Sequence, residues 1–179
     1  MGLIKQGLKL MGTHAIVSLI QFIFIPPLLS IFENQIYQWL VGLVCIAMFW
    51  LIVYADMSKV GLDDAKKDAF AQYKGFIAGL LASIPSIILY LLAIAMEPSG
   101  SVNWFEIALR LWLIPYTKIF TTFDKMMPHI AIIPIALFPM VAGISYIDGL
   151  RKRKQILKAI ENSEATRAER SKVNISFQK

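Results

Sequence analysis

Four long apolar runs lie along this chain, parted by polar segments of very unequal length. The first, roughly Leu8 to Phe32, follows Lys5 and Lys9 and carries Pro26 and Pro27 toward its far end. The second, IYQWLVGLVCIAMFWLIVYA from Ile36 to Ala55, holds neither proline nor charge. The third runs from Gly75 to Met96 with Pro85 at its middle, and the fourth from His129 to Ile147 with Pro134 and Pro139. A helix needs about 20 apolar residues, at about 1.5 Å each, to cross hydrocarbon about 30 Å thick. The pattern therefore predicts an all-α, polytopic membrane protein with four transmembrane helices over residues 8–32, 36–55, 75–96 and 129–147. These make one domain over 1–161, with the last helix running on to about Glu161. A mobile cytoplasmic tail is expected over 162–179, where the chain turns polar. The prolines remove backbone donors, so kinks or breaks are expected at Pro26, Pro85, Pro134 and Pro139. The first run is too long for a signal peptide's apolar core and lacks a small-x-small cleavage site, so it reads as an uncleaved span.

A fifth apolar stretch, 104–120, breaks this pattern. Phe105, Ala108, Leu109, Trp112, Leu113, Tyr116 and Phe120 recur at spacings of three and four and form one stripe, while Glu106, Arg110 and Thr117 fall on the other side. A charge near mid-bilayer costs about 2.5–3.5 kcal/mol on insertion scales. The Lys and Arg distribution also opposes a fifth crossing. With four spans and the N-terminus inside, the inner pieces 1–10, 56–74 and 148–179 carry two, four and nine positive residues. The outer pieces 33–35 and 97–128 carry none and three. That is the asymmetry of the positive-inside rule, and it places both termini in the cytoplasm. The segment 104–120 is expected to be external and amphipathic, lying at the interface or dipping in without crossing, bent at Pro115. A re-entrant hairpin is the rival placement.

Composition fits this reading. The chain is 57% hydrophobic and 17% charged, against about 45–50% and about 25% for soluble domains. The formal net charge of +6 sits beside apolar runs, which points to anionic lipid headgroups rather than nucleic acid. Arg151, Lys152, Arg153 and Lys154 are the candidate headgroup contacts.

Candidate chemistry is sparse. His14, Ser18 and Gln21 form a polar stripe on the first span, at i, i+4 and i+7. Any polar pocket would lie between that stripe and Ser83, Ser86 and Tyr90 of the third span. His14 also sits near the inner end, where it could reach headgroups. Gly75, Gly79 and Ser83 line one face of the third span, a GxxxG match that serves helix packing within one bundle or a homodimer seam. Asp63, Asp64 and Asp68 superficially resemble an Mg²⁺-holding motif, but Lys66 and Lys67 neutralise them. A solvated, self-paired helix face is the expected reading, with Asp63 and Lys67 at i,i+4. No HExxH, GxSxG or P-loop is present, so no enzyme and no cofactor is expected.

The stretches YADMSKVGLDDAKKD, YKGFIAGLLASIPSIIL, IPYTKIF and GISYIDGLRKRK resemble a group of small uncharacterised four-span membrane proteins of Gram-positive bacteria. The resemblance implies the same topology and carries no activity or functional residue. Together these features point to an accessory or assembly subunit of a membrane complex, with a membrane-protein partner or as a homo-oligomer. The alternative is a component of a small-solute transporter or channel.

Overall fold

The computed structural model describes residues 2–31, 34–67, 70–96 and 102–177, with the backbone alone for 165 and 167–177. Phe32, Asp68 and most of the 97–103 turn, together with the side chains of most of the tail, lie outside the described residues. Six α-helices are described: α1 (Leu3–Ser30), α2 (Gln35–Lys66), α3 (Lys74–Ala95), α4 (Trp104–Trp112), α5 (Thr117–Thr122) and α6 (Ile132–Phe177). There is no strand among the described residues. Helices α1, α2, α3 and α6 are each long and apolar enough to cross a membrane. The chain is thus an all-α polytopic protein of four candidate spans.

The four long helices run alternately up and down, and the neighbours α1–α2, α2–α6, α6–α3 and α3–α1 close a ring. Ile16, Leu19 and Ile23 of α1, Leu40, Leu43 and Leu51 of α2, and Ile133 and Ile144 of α6 all point outward and exposed. Small residues fill the inside, among them Ala78, Ala82 and Ala142. Lipid supplies no hydrophobic drive between helices, so close packing has to hold them together. The α2–α6 and α3–α6 crossings show it. A side chain on Gly61 would strike the Tyr146 carbonyl, and one on Gly75 the Tyr146 Cβ. A Cβ on Gly79 would lie 2.6 Å from Pro139 Cα.

The expectation of breaks at the prolines is corrected here. α1 runs on through Pro26 and Pro27, α3 through Pro85 and α6 through Pro139. Pro134 lies in the first turn of α6, where no intrahelical donor is required. Backbone outside long helices is found instead between Leu113 and Ala131, in three 3-10 turns around the short α5. Two other bounds also move. α2 continues through the polar stretch to Lys66, and α6 continues past Glu161 to Phe177.

Candidate functional site

Residues 104–122 fold as a helical hairpin packed against α1, α2 and α3. Asn103 starts it. Its Oδ1 accepts from the Glu106 amide at 3.1 Å, and its Nδ2 donates to the Ala93 carbonyl at 2.7 Å. One side chain thus caps α4 and ties it to the far end of α3. α4 then descends along α3 with Leu109 buried. The chain turns at Ile114–Tyr116, where Pro115 is buried in a 3-10 turn, and α5 climbs back with Phe120 buried. At the rim, Arg110 bonds Glu106 at 2.7 Å and Asp124 at 2.6 Å, linking the two limbs. The apolar stripe read from the sequence faces the bundle core.

The apex lies deep. Tyr116 and Phe49 rings are 6.3 Å apart, and Phe49 stands about 21 Å along α2 from Gln35 at helical rise. α4 ends at Trp112, so the Trp112 carbonyl has no partner within its own helix. Ser18 Oγ donates to it at 2.9 Å, and His14 Nε2 lies 3.1 Å away. A carbonyl oxygen only accepts, so His14 Nε2 carries a proton there, and Nδ1 is left without a partner. The imidazole is walled by Phe49, Trp112 and Phe138, with ring centroids at 5.0, 5.0 and 5.2 Å. Gln21 Nε2 donates to the Cys45 carbonyl at 2.9 Å. Gln21 Oε1, Trp112 Nε1 and the Tyr116 hydroxyl are buried without a hydrogen bond of normal geometry.

The α1 stripe therefore receives the hairpin. His14 is 2% exposed, which rules out a reach to headgroups. The other half of the expected pocket is not joined to it. Ser83 Oγ turns back on the Gly79 carbonyl at 3.0 Å, Ser86 is buried, and Tyr90 packs half-buried against the core. Among the described residues no hydrogen bond links them to His14, Ser18 or Gln21. A shallow apolar cleft of about 460 Å³ does open sideways between α1, α3 and α4, with Ser18, Phe22, Leu111 and Trp112 in its wall. Gly75 and Gly79 lie in the α3–α6 seam.

A second polar centre lies toward the end that carries the N-terminus, and here the sequence reading of the acids is corrected. Asp64 is 4% exposed. Its Oδ2 accepts from Gln6 Nε2 at 3.1 Å, Lys74 Nζ at 2.7 Å and Tyr146 hydroxyl at 2.9 Å. Burial pushes the Asp64 carboxyl up, but these three hydrogen bonds and the Lys74 charge outweigh it and hold the group below the usual carboxylate range. Of the two described acids Asp63 fits the solvated expectation, and its partner is Lys66 at 3.3 Å. The reason is helical period. α2 does not end at Ala55, so Phe49, Val53, Met57, Gly61 and Asp64 continue one buried stripe. That spacing was the available signal. Nearby, Lys9 pairs with Asp56, Tyr54 donates to Asp148, and Lys152 reaches Ser58 at 2.9 Å. Lys152 is thus engaged inside the protein, while Arg151 and Lys154 remain exposed.

Among the described residues no group of three His, Cys, Asp or Glu side chains could hold a metal ion. No family model, curated protein or solved structure matches this chain.

Proposed function

We propose that this chain is the solute-facing component of a small-solute transporter or channel, set in the cell membrane with both termini cytoplasmic. One observation carries the proposal: a half-helix ends inside the bundle with its carbonyl and a bare histidine acceptor at the same point. Interrupted helices that present terminal dipoles and ionisable side chains at mid-depth suit the capture of a polar solute. A purely packed core has no use for an acceptor such as His14 Nδ1, which costs about 1–3 kcal/mol when left bare. Water access tests the proposal. In a Cys45→Ser background, Ser18→Cys is exposed to a membrane-impermeant cationic thiol reagent, with Ala78→Cys as the sealed control and Met96→Cys as the open one. Labelling well above the Ala78→Cys rate supports a solute-accessible centre. Labelling as slow as that control sinks the transport reading.

The second reading is an accessory or assembly subunit. The close ring of Phe49, Trp112 and Phe138 around His14 favours it, because a sealed centre holds a hairpin and passes nothing. Purification from native membranes in mild detergent separates the two. A stoichiometric partner of a different kind supports the subunit, and a homo-oligomer supports the pore or carrier.

A further inference from the structure

The ascending limb of the hairpin carries a buried cation with no acid beside it among the described residues. Lys118 is 8% exposed, although it belongs to a helix only six residues long. Its Cβ packs on the backbone of Gly42, where an added side-chain carbon would stand 2.7 Å away. From there the stem climbs about 6 Å along α2, at helical rise, to the level of Gln38. Nζ donates to Gln38 Oε1 at 2.9 Å and lies 5.8 Å from the Trp39 ring centroid. No carboxylate lies within ion-pair reach of it among the described residues. Three part-buried cations elsewhere have one: Lys74 has Asp64, Arg110 has Glu106 and Asp124, and Lys152 has Asp148. An ammonium taken out of water without a counter-charge is strongly unfavourable, so an anion from outside the chain belongs there.

The surroundings say which kind. Gln38 and Trp39 lie about one turn inside the start of α2, the level at which headgroups meet hydrocarbon. Directly beside Trp39 an apolar groove of about 440 Å³ runs down the outer face of α2 along Ile36, Leu40, Leu43 and Val44. Charge at the top and apolar length beneath match a single amphiphile. We propose that Lys118, with Gln38 and Trp39, binds the phosphate of one anionic phospholipid whose acyl chain lies in the Leu40–Val44 groove. This site is independent of the solute centre at His14.

Full-length protein, purified in mild detergent and stripped of lipid, is titrated with phosphatidylglycerol, phosphatidylcholine or inorganic phosphate. Retained lipid is counted by native mass spectrometry, and melting is followed alongside. The wild type is expected to hold one phosphatidylglycerol more than Lys118→Met, and Lys118→Arg to keep it. Lipid at the Arg151–Lys154 run is common to all variants and cancels in the difference. Phosphatidylglycerol raises the melting temperature of the wild type and not that of Lys118→Met. Lys118→Gln, which retains a donor toward Gln38, behaves as Lys118→Met and covers the case in which that variant does not fold. Equal phosphatidylglycerol counts in wild type and Lys118→Gln overturn the proposal. So does full replacement of the effect by inorganic phosphate or by phosphatidylcholine.

Discussion

Two polar centres lie inside this bundle, and they are built on opposite terms. At Asp64 a charged oxygen receives three donors, one from each of the other long helices, and the site lies beyond the apolar run of α2. At Trp112 a neutral carbonyl receives two donors from a single helix, beside a bare imidazole nitrogen and other buried atoms without partners. A filled network in a low dielectric fixes one arrangement, because every alternative leaves a group bare. An underfilled one carries a standing cost and keeps capacity for something else. The first centre is a clamp between four helices. The second holds a hairpin and has bonding capacity left over, which is why the functional proposal is placed there.

Removing Asp64 gives the largest effect. Asp64→Ala removes the acceptor that the Lys74 ammonium and the Tyr146 hydroxyl share, and loss of one partner of a buried pair costs about 3–5 kcal/mol. Asp64→Asn is expected to cost less, since an amide oxygen still accepts from Tyr146 and Gln6. Equilibrium unfolding in detergent reads both. The pH dependence has a definite sign. Asp64 titrates lower in the folded protein than in the unfolded chain, so its contribution is fully present above the ordinary carboxylate pKa. It is lost as pH falls through the lower, folded value. The wild type is therefore expected to lose stability on acidification, with a shallower slope in Asp64→Asn. Identical slopes would show that the clamp is not electrostatic.

The next effect tests whether the clamp depends on the seam around it. Gly79→Val drives a branched side chain into Pro139 and Ala142, and overpacking of this kind costs about 1–3 kcal/mol. It lies well along α3 from Lys74, so it loosens the α3–α6 crossing without touching Asp64. Unfolding of Gly79→Val, Asp64→Asn and the pair separates the two. Additive losses mean independent devices, and a double variant no worse than Asp64→Asn means that the clamp works only through this seam.

The sequence revealed one kind of structure well and another poorly. Long apolar runs fix four helices because the length requirement is local, and the three- and four-residue stripe from Phe105 to Phe120 marked the inward face of the hairpin before its depth was known. Depth is not local. It rests on Asn103 capping α4 against Ala93 and on Ser18 and His14 meeting the Trp112 carbonyl, contacts between residues far apart in the chain. The stripe His14–Ser18–Gln21 was legible, but its partner was sought on α3 because the hairpin had been set at the surface. Asp64 was missed because the acids were read together as one solvated helix face, whereas Asp64 lies on the buried stripe that continues from Phe49 through Gly61. Lys118 entered only as one of the three positive residues of the piece 97–128, since no pattern in the sequence shows a lysine folded back over a glycine.

The smallest effect sharpens the comparison most. Ser18→Ala and His14→Phe each remove one donor from the Trp112 carbonyl while largely keeping the packing. Hydrogen bonds between helices in membranes average about 0.6 kcal/mol, with a maximum of about 1.7. Each single variant is therefore expected to lose less than 1 kcal/mol, because the remaining donor still satisfies the oxygen. The double variant leaves a helix-end carbonyl bare inside the bundle, so its loss should exceed the sum of the two. A double-mutant cycle in detergent unfolding measures that excess. Strict additivity would mean that the two side chains do not share the carbonyl, and the hairpin would then be held by its apolar stripe alone. In Ser18→Ala, which removes no titratable group, the acid slope set by Asp64 should stay unchanged, because Ser18 bonds the Trp112 carbonyl and the Asp64 carboxylate is held by Gln6, Lys74 and Tyr146. A changed slope would join the two centres into one network and remove the distinction between clamp and binding centre.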